Sequence, residues 1–138
     1  MEREILFRGK RVDNGEWIEG NLLQDYWVGD NVFVPYSIRY KINGVYSYPI
    51  QVIPETIGQF TGLTDKAGTN IFEGDILRVD SWKFSWVVQF DTKKARFNCV
   101  INNEGNQNDF IPSHFVKVIG NIHDNPELIN NTKNNGRV

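Results

Sequence analysis

The chain has 138 residues, with 15 Lys and Arg against 17 Asp and Glu, a net charge of −2, and 13% aromatic residues within a 40% hydrophobic composition. That length accommodates one domain with a real core, burying about two-thirds of its unfolded surface without covalent staples. The acidic balance excludes a global attraction to phosphate, and the single cysteine, Cys99, excludes an internal disulfide and any CxxC motif.

A reducing cytoplasm is the compartment this cysteine usage implies. The N-terminus alternates charge and hydrophobe, and no run approaches about 18 apolar residues, which points away from secretion and from membrane spanning. The first predicted element is a β-hairpin: Ile5 to Val12 and Trp17 to Leu23 flank Asp13-Asn14-Gly15-Glu16, and Asn-Gly favours a type I′ turn because both central residues need positive φ. With Asn14 and Gly15 as the loop, Val12 faces Trp17, Lys10 faces Glu19 and Phe7 faces Leu22. One face of this ribbon then holds Ile5, Phe7, Gly9, Ile18, Gly20 and Leu22, and wants burial.

Two further reversals are expected, at Gly29-Asp30-Asn31 within Tyr26 to Val34, and at Asn43-Gly44 within Ile38 to Tyr48. Pro35, Pro49 and Pro54 confine their surroundings to edges, strand starts or loops. From Glu55 the spacing fits a five-strand SH3-like order: Thr56 to Phe60, a long structured loop, then Ile76 to Ser81, Phe84 to Asp91, Ala95 to Ile101 and Val116 to Ile122. Phe84, Trp86, Val88 and Phe90 share one face, as do Phe97, Cys99 and Ile101, the period of two expected where one side lines a core. Glu104 to Asn108 reads as a polar loop and Ile111 to Phe115 as one 3₁₀ turn. Asn125-Pro126-Glu127-Leu128 reads as cap, Pro at the first helical position and a favourably placed acid, hence a brief helix before a polar tail over 130–138.

Within the long loop, Asp65-Lys66-Ala67-Gly68 has Asp first and Gly last, as a type I turn prefers, and Gly74-Asp75 reads as a bend into the strand that begins at Ile76. Glu55 to Leu63, Asp65-Lys66, Gly68 and Ile71 to Ile76 resemble the signature of the YopX family of prophage-encoded proteins. The resemblance extends to Arg3 to Arg8 and Val118 to Leu128, leaving out Tyr26 to Tyr48 and the tail. It implies an association with phages and mobile elements and an SH3-like barrel, and it brings no assigned activity and no catalytic residue.

Several residues invite chemistry and have simpler readings. Glu73 and Asp75, with Asp65, resemble the start of a carboxylate pair or a hard-cation site, but Gly74 makes the stretch a bend in which Asp75 ties the loop to its own backbone. Asp65, Gly68, Glu73, Gly74 and Asp75 are therefore expected to be structural loop residues. His114, His123 and Cys99 match no zinc spacing, and Cys99 falls on the inferred core face. No GxSxG, Walker loop or HExxH is present, which disfavours an enzyme. Trp82 falls between two barrel strands, and with Lys83, Phe84, Lys93, Lys94 and Arg96 it offers aromatic stacking beside positive charge, as single-stranded nucleic acid requires. In the simpler reading Trp82 folds onto the N-terminal ribbon and the lysines solvate a hairpin tip.

The sequence thus predicts a mainly β protein: an SH3-like small barrel over 55–125, an N-terminal β-ribbon and hairpin extension over 1–54 packing on it, and a short C-terminal helix and flexible tail over 126–138. The expected function is non-enzymatic, as a protein-interaction or assembly module of phage or prophage. The alternatives are a weak single-stranded nucleic-acid-binding module and an unrecognised hydrolase. A homo-oligomer, or a phage or host protein partner, is expected; a cofactor, a metal and a membrane are not.

Overall fold

The computed structural model describes residues 3–79, 84–101, 106–108 and 110–129, and the expected tail over 130–138 lies outside them. The chain packs as two compact units, Met1–Phe60 and Thr61–Val138, with the boundary inside a strand that follows the expected division after residue 54. Strands dominate both units, as predicted, and residues 126–129 form the short C-terminal helix.

The first unit contains β1 (Phe7–Lys10), β2 (Trp17–Val28), β3 (Val32–Arg39), β4 (Lys41–Ile42), β5 (Val45–Tyr46), β6 (Ile50–Gln51) and the start of β7 (Gly58–Thr64). Its main sheet runs β6-β3-β2-β1-β7, and among the described residues β4 pairs only with β5. The first hairpin forms, but its register differs from the expected one by two residues: Lys10 pairs with Trp17, Arg8 with Glu19 and Phe7 with Gly20. The cause is the turn. Asn14 does not adopt positive φ; only Gly15 does, at 75°. Gly15 N–H donates to the Arg11 carbonyl at 2.9 Å and Arg11 N–H to the Glu16 carbonyl at 2.9 Å, so four residues, 12–15, form the loop. Arg11 and Asp13 clamp that loop with a bidentate pair at 2.9 and 2.7 Å.

A shift of two preserves the pleat, so Phe7, Gly9, Ile18 and Gly20 still share a face. What changes is the opposite face, where the expected Lys10 and Glu19 pair gives way to Arg8 and Lys10 over the Trp17 ring at 4.8 and 5.7 Å. The Asn-Gly chemistry expected at residue 14 occurs instead between β4 and β5, where Asn43 and Gly44 have φ of 51° and 82°. Ile38, Val52 and Phe60 are buried in this unit beside Gly9 and Gly20, while Ile5 is exposed. Pro54–Thr56 forms a 3₁₀ turn where a strand was expected to begin at Thr56, and the Thr56 hydroxyl accepts the Lys10 N–H at 2.9 Å.

In the second unit β7 pairs with β8 (Asn70–Phe72), so the expected long loop is largely a hairpin. Beyond it lie β9 (Asp75–Arg78), β10 (Ser85–Asp91), β11 (Arg96–Ile101), β12 (Asn106–Asn108) and β13 (Lys117–Asn121), in the antiparallel order β12-β11-β10-β9-β13. Among the described residues this sheet does not close into the expected SH3-like barrel; β12 and β13 are its two edges. Residues 106–108, expected as loop, pair with Ile101, Val100 and Cys99, because ladder bonding from β11 overrides their weak β propensity. Ile111 to Phe115 contains the expected single i→i+3 turn, with Phe115 N–H on the Pro112 carbonyl at 3.0 Å, and it is not continued into a 3₁₀ helix.

The core gathers Ile71, Leu77, Trp86, Val88, Cys99, Ile111 and Val116, which confirms the alternation read in β10 and β11. Each buried Leu, Ile or Val contributes on the order of 1.5–3 kcal/mol. The alternation runs out of core at the strand ends: Phe84 and Phe90 are exposed, and Phe90 packs edge-on against its cross-strand partner Phe97 at 5.1 Å.

Gly20 is the position in the first unit that tolerates no side chain, since a Cβ there would lie 2.1 Å from the Arg39 carbonyl oxygen. Gly20→Ala is expected to cost about 1–3 kcal/mol through forced displacement of β3. Gly15→Ala, in open space with φ of 75°, should cost only the local backbone strain of about 1 kcal/mol. Urea midpoints measure both; equal midpoints for the two variants would show that β3 yields freely.

Candidate functional site

The loop residues singled out from sequence do structural work. Asp65 is buried, and its Oδ1 accepts the N–H groups of Ala67 and Thr69, both at 2.9 Å, while Oδ2 accepts that of Val118 at 2.9 Å. The turn closes as expected, with Gly68 N–H on the Asp65 carbonyl at 3.0 Å and Gly68 at φ of 87°. Burial, the largest influence, pushes the Asp65 carboxyl up, but the donors from Val118, Thr69 and Ala67, with Lys117 nearby, outweigh it and hold the group below its ordinary value.

Gly74, at φ of 92°, carries the bend between β8 and β9, and its backbone joins Val88 and Ile122 by bonds of 2.9 Å each. Asp75 is 1% exposed and its Oδ2 accepts the Phe72 N–H at 2.7 Å. Glu73 is half-buried beside them. Among the described residues no three His, Cys, Asp or Glu side chains converge as metal ligands. Cys99 is fully buried, and burial pushes its thiol up to about 12, so it stays protonated at neutral pH. His114 is exposed and His123 half-buried.

Of the residues expected to bind, Trp82 and Lys83 lie outside the described residues. Phe84 immediately precedes β10, whereas Lys93, Lys94 and Arg96 sit at the other end of that strand. Seven residues of strand at about 3.3 Å each separate the two ends by roughly 20 Å, so Phe84 and the three cations are not brought together. At the tip, Asp91 Oδ1 accepts the N–H groups of Lys93 and Lys94 at 3.0 and 3.3 Å, and Arg96 pairs with Asp91 in the ladder. An acid therefore sits among these cations.

The first unit holds a feature that sequence reading passed over. Trp27 and Phe33 pair across the β2–β3 hairpin with ring centroids 5.1 Å apart, yet they remain 58% and 46% exposed, with Val32 at 54%. Further along, Arg39 and Lys41 approach the Tyr46 ring at 4.9 and 5.3 Å, beside a cavity of about 530 Å³ lined by Arg39, Val45, Tyr46, Ser47, Tyr48 and Pro49. The available signal was composition: between Asp30 and Glu55 the chain has no acidic residue but two cations and four of its five tyrosines.

A family model described as YopX protein matches residues 6–130. Among solved structures the chain is similar to that titled "Crystal structure of protein EF1440 from Enterococcus faecalis", at 26% identity and a TM-score of 0.53, over 93% of this chain and 99% of that one. No curated protein matches.

Two outcomes follow from the buried groups. Asp65→Asn places an amide N–H against the Val118 N–H and should cost about 1–3 kcal/mol at neutral pH. Because the folded carboxyl titrates below its unfolded value of about 3.9, its stabilisation is present above that pH and is lost as pH falls through the folded value. The stability gap between wild type and Asp65→Asn, read by denaturant melts, should therefore close below about pH 4; a gap independent of pH would assign the cost to packing. For Cys99, a thiol reagent at pH 8 should react only on unfolding, and fast labelling of the native protein would contradict its burial.

Proposed function

Because this chain belongs to the YopX family, we propose that it is a non-enzymatic accessory protein of phage or prophage, working in the cytoplasm by docking to protein surfaces, first of all to copies of itself. The observation that carries this reading is the β2–β3 tip, where Trp27, Val32 and Phe33 are all about half exposed or more. Aromatic rings are the largest apolar payloads a surface can offer, and clustered exposure of this kind marks interaction sites. The Trp27 and Phe33 rings already hold each other, so little side-chain freedom remains to be lost on association. A two-fold contact between copies would set this same tip of each chain against the other.

The non-enzymatic part of the reading draws support from how the reactive groups are used. Asp65 and Asp75 are spent on backbone N–H groups, and the Cys99 thiol is buried and protonated. Among the described residues no helix is long and apolar enough to cross a membrane.

Light scattering at concentrations well above micromolar should return a multiple of the 16.0 kDa chain mass. Trp27→Ala combined with Phe33→Ala should return the monomer with an unchanged circular dichroism spectrum. A monomeric wild type, or an oligomer indifferent to the double substitution, rejects this interface.

A further inference from the structure

We propose that the cavity beside β5 binds a base-bearing phosphate, presented by single-stranded nucleic acid or by a free nucleotide, with the base stacked on Tyr48 and the phosphate held by Arg39 and Lys41.

The charge at this cavity is the first reason. In a chain whose acids outnumber its bases, no carboxylate occurs between Asp30 and Glu55. Among the described residues Arg39 and Lys41 form no ion pair, in contrast to Arg11, which is clamped by Asp13 at 2.7 Å. Both cations are gathered instead by the Tyr46 ring, at 4.9 and 5.3 Å. An aromatic face concentrates positive charge without neutralising it, so an anion arriving there meets two unscreened partners. Arg39 commits its Nε to the Ser47 carbonyl at 3.3 Å, which leaves its terminal nitrogens for a phosphate.

The second reason is Tyr48. It is 89% exposed, the most open large hydrophobic among the described residues, yet its backbone is fixed on both sides. Ser47 N–H donates to the Tyr40 carbonyl at 2.7 Å, the Ser47 hydroxyl accepts the Tyr40 N–H at 3.1 Å, and the same hydroxyl donates to the Tyr48 carbonyl at 2.8 Å. Pro49 then restricts Tyr48 to extended backbone. A rigidly mounted, solvent-facing ring next to unneutralised cations is the stacking platform by which proteins hold single strands without reading sequence. At about 530 Å³ the cavity is within the range of small-ligand sites.

The test uses the full chain and two probes, a fluorescein-labelled oligothymidylate and thymidine monophosphate, at low salt. The oligonucleotide should bind, weakening with salt at a slope of about −0.7 per phosphate contact, or roughly −1.4 for the two cations. Tyr48→Ala should weaken binding about 5- to 150-fold, the loss of one stacked base. Lys41→Glu should weaken it and flatten the salt slope. Both positions are exposed, so circular dichroism should be unchanged. If thymidine monophosphate binds as tightly as the oligonucleotide and shares the sensitivity to Tyr48→Ala, the source of the phosphate is a free nucleotide and the site stands. If neither probe binds, or if binding ignores both substitutions, the site is overturned.

Discussion

Asp65 is 5% exposed, and a carboxylate so far from water must find donors within the protein or lose its charge. It finds three: Ala67 and Thr69 within its own loop, and Val118 from the strand β13. The first two close the reversal between β7 and β8, and the third reaches across 53 residues of sequence, so one side chain sets the shape of the hairpin and its attachment to β13 together. Lys66 N–H on the Val116 carbonyl at 3.1 Å repeats the attachment through the backbone. Just beyond Val118, β13 takes a bulge against β9 before Gly120, an irregularity that the ladder absorbs next to this fixed point. Val116, Ile71 and Leu77 meet in the core under this junction, so polar satisfaction and apolar burial specify the same arrangement.

Much of this was legible because turn chemistry is local. Asp65 and Gly68 could be assigned from four consecutive residues, and the strand cores of β10 and β11 from alternation alone. The first hairpin shows where local reasoning stops. Asn14-Gly15 looked like a two-residue turn, but the bidentate clamp between Arg11 and Asp13 favours a wider loop in which only Gly15 takes positive φ. The face assignment survived because the error was even, and the cross-strand pairs did not. β12 was missed for the opposite reason: Asn106-Gln107-Asn108 has no strand propensity of its own and is held by its partner β11. Barrel closure depends on how strands at opposite ends of a sheet meet, which spacing along one chain does not encode.

The candidate surfaces were less legible than the fold. Lys93, Lys94 and Arg96 attract attention as a run of charge, yet Asp91 lies among them and a strand length separates them from Phe84. Arg39, Lys41, Tyr46 and Tyr48 looked unremarkable because their cations are few and spaced apart. The informative property was the carboxylates missing between Asp30 and Glu55, together with tyrosines that the structure leaves in solvent. Local charge counts only in relation to what neutralises it, and that requires geometry. The same holds for Trp27 and Phe33: each is an ordinary strand residue until the register places one across from the other at an exposed tip.

The dependence of the second unit on Asp65 is tested most directly by a nuclear magnetic resonance pH titration that follows the Asp65 carboxyl carbon and the amides of Ala67, Thr69 and Val118. The predicted result is one shared midpoint, below the ordinary carboxylate range, with all three amides moving together as the proton arrives. An ordinary midpoint, or a Val118 amide that ignores the titration, would contradict the long-range attachment and leave Asp65 as a residue of its own turn.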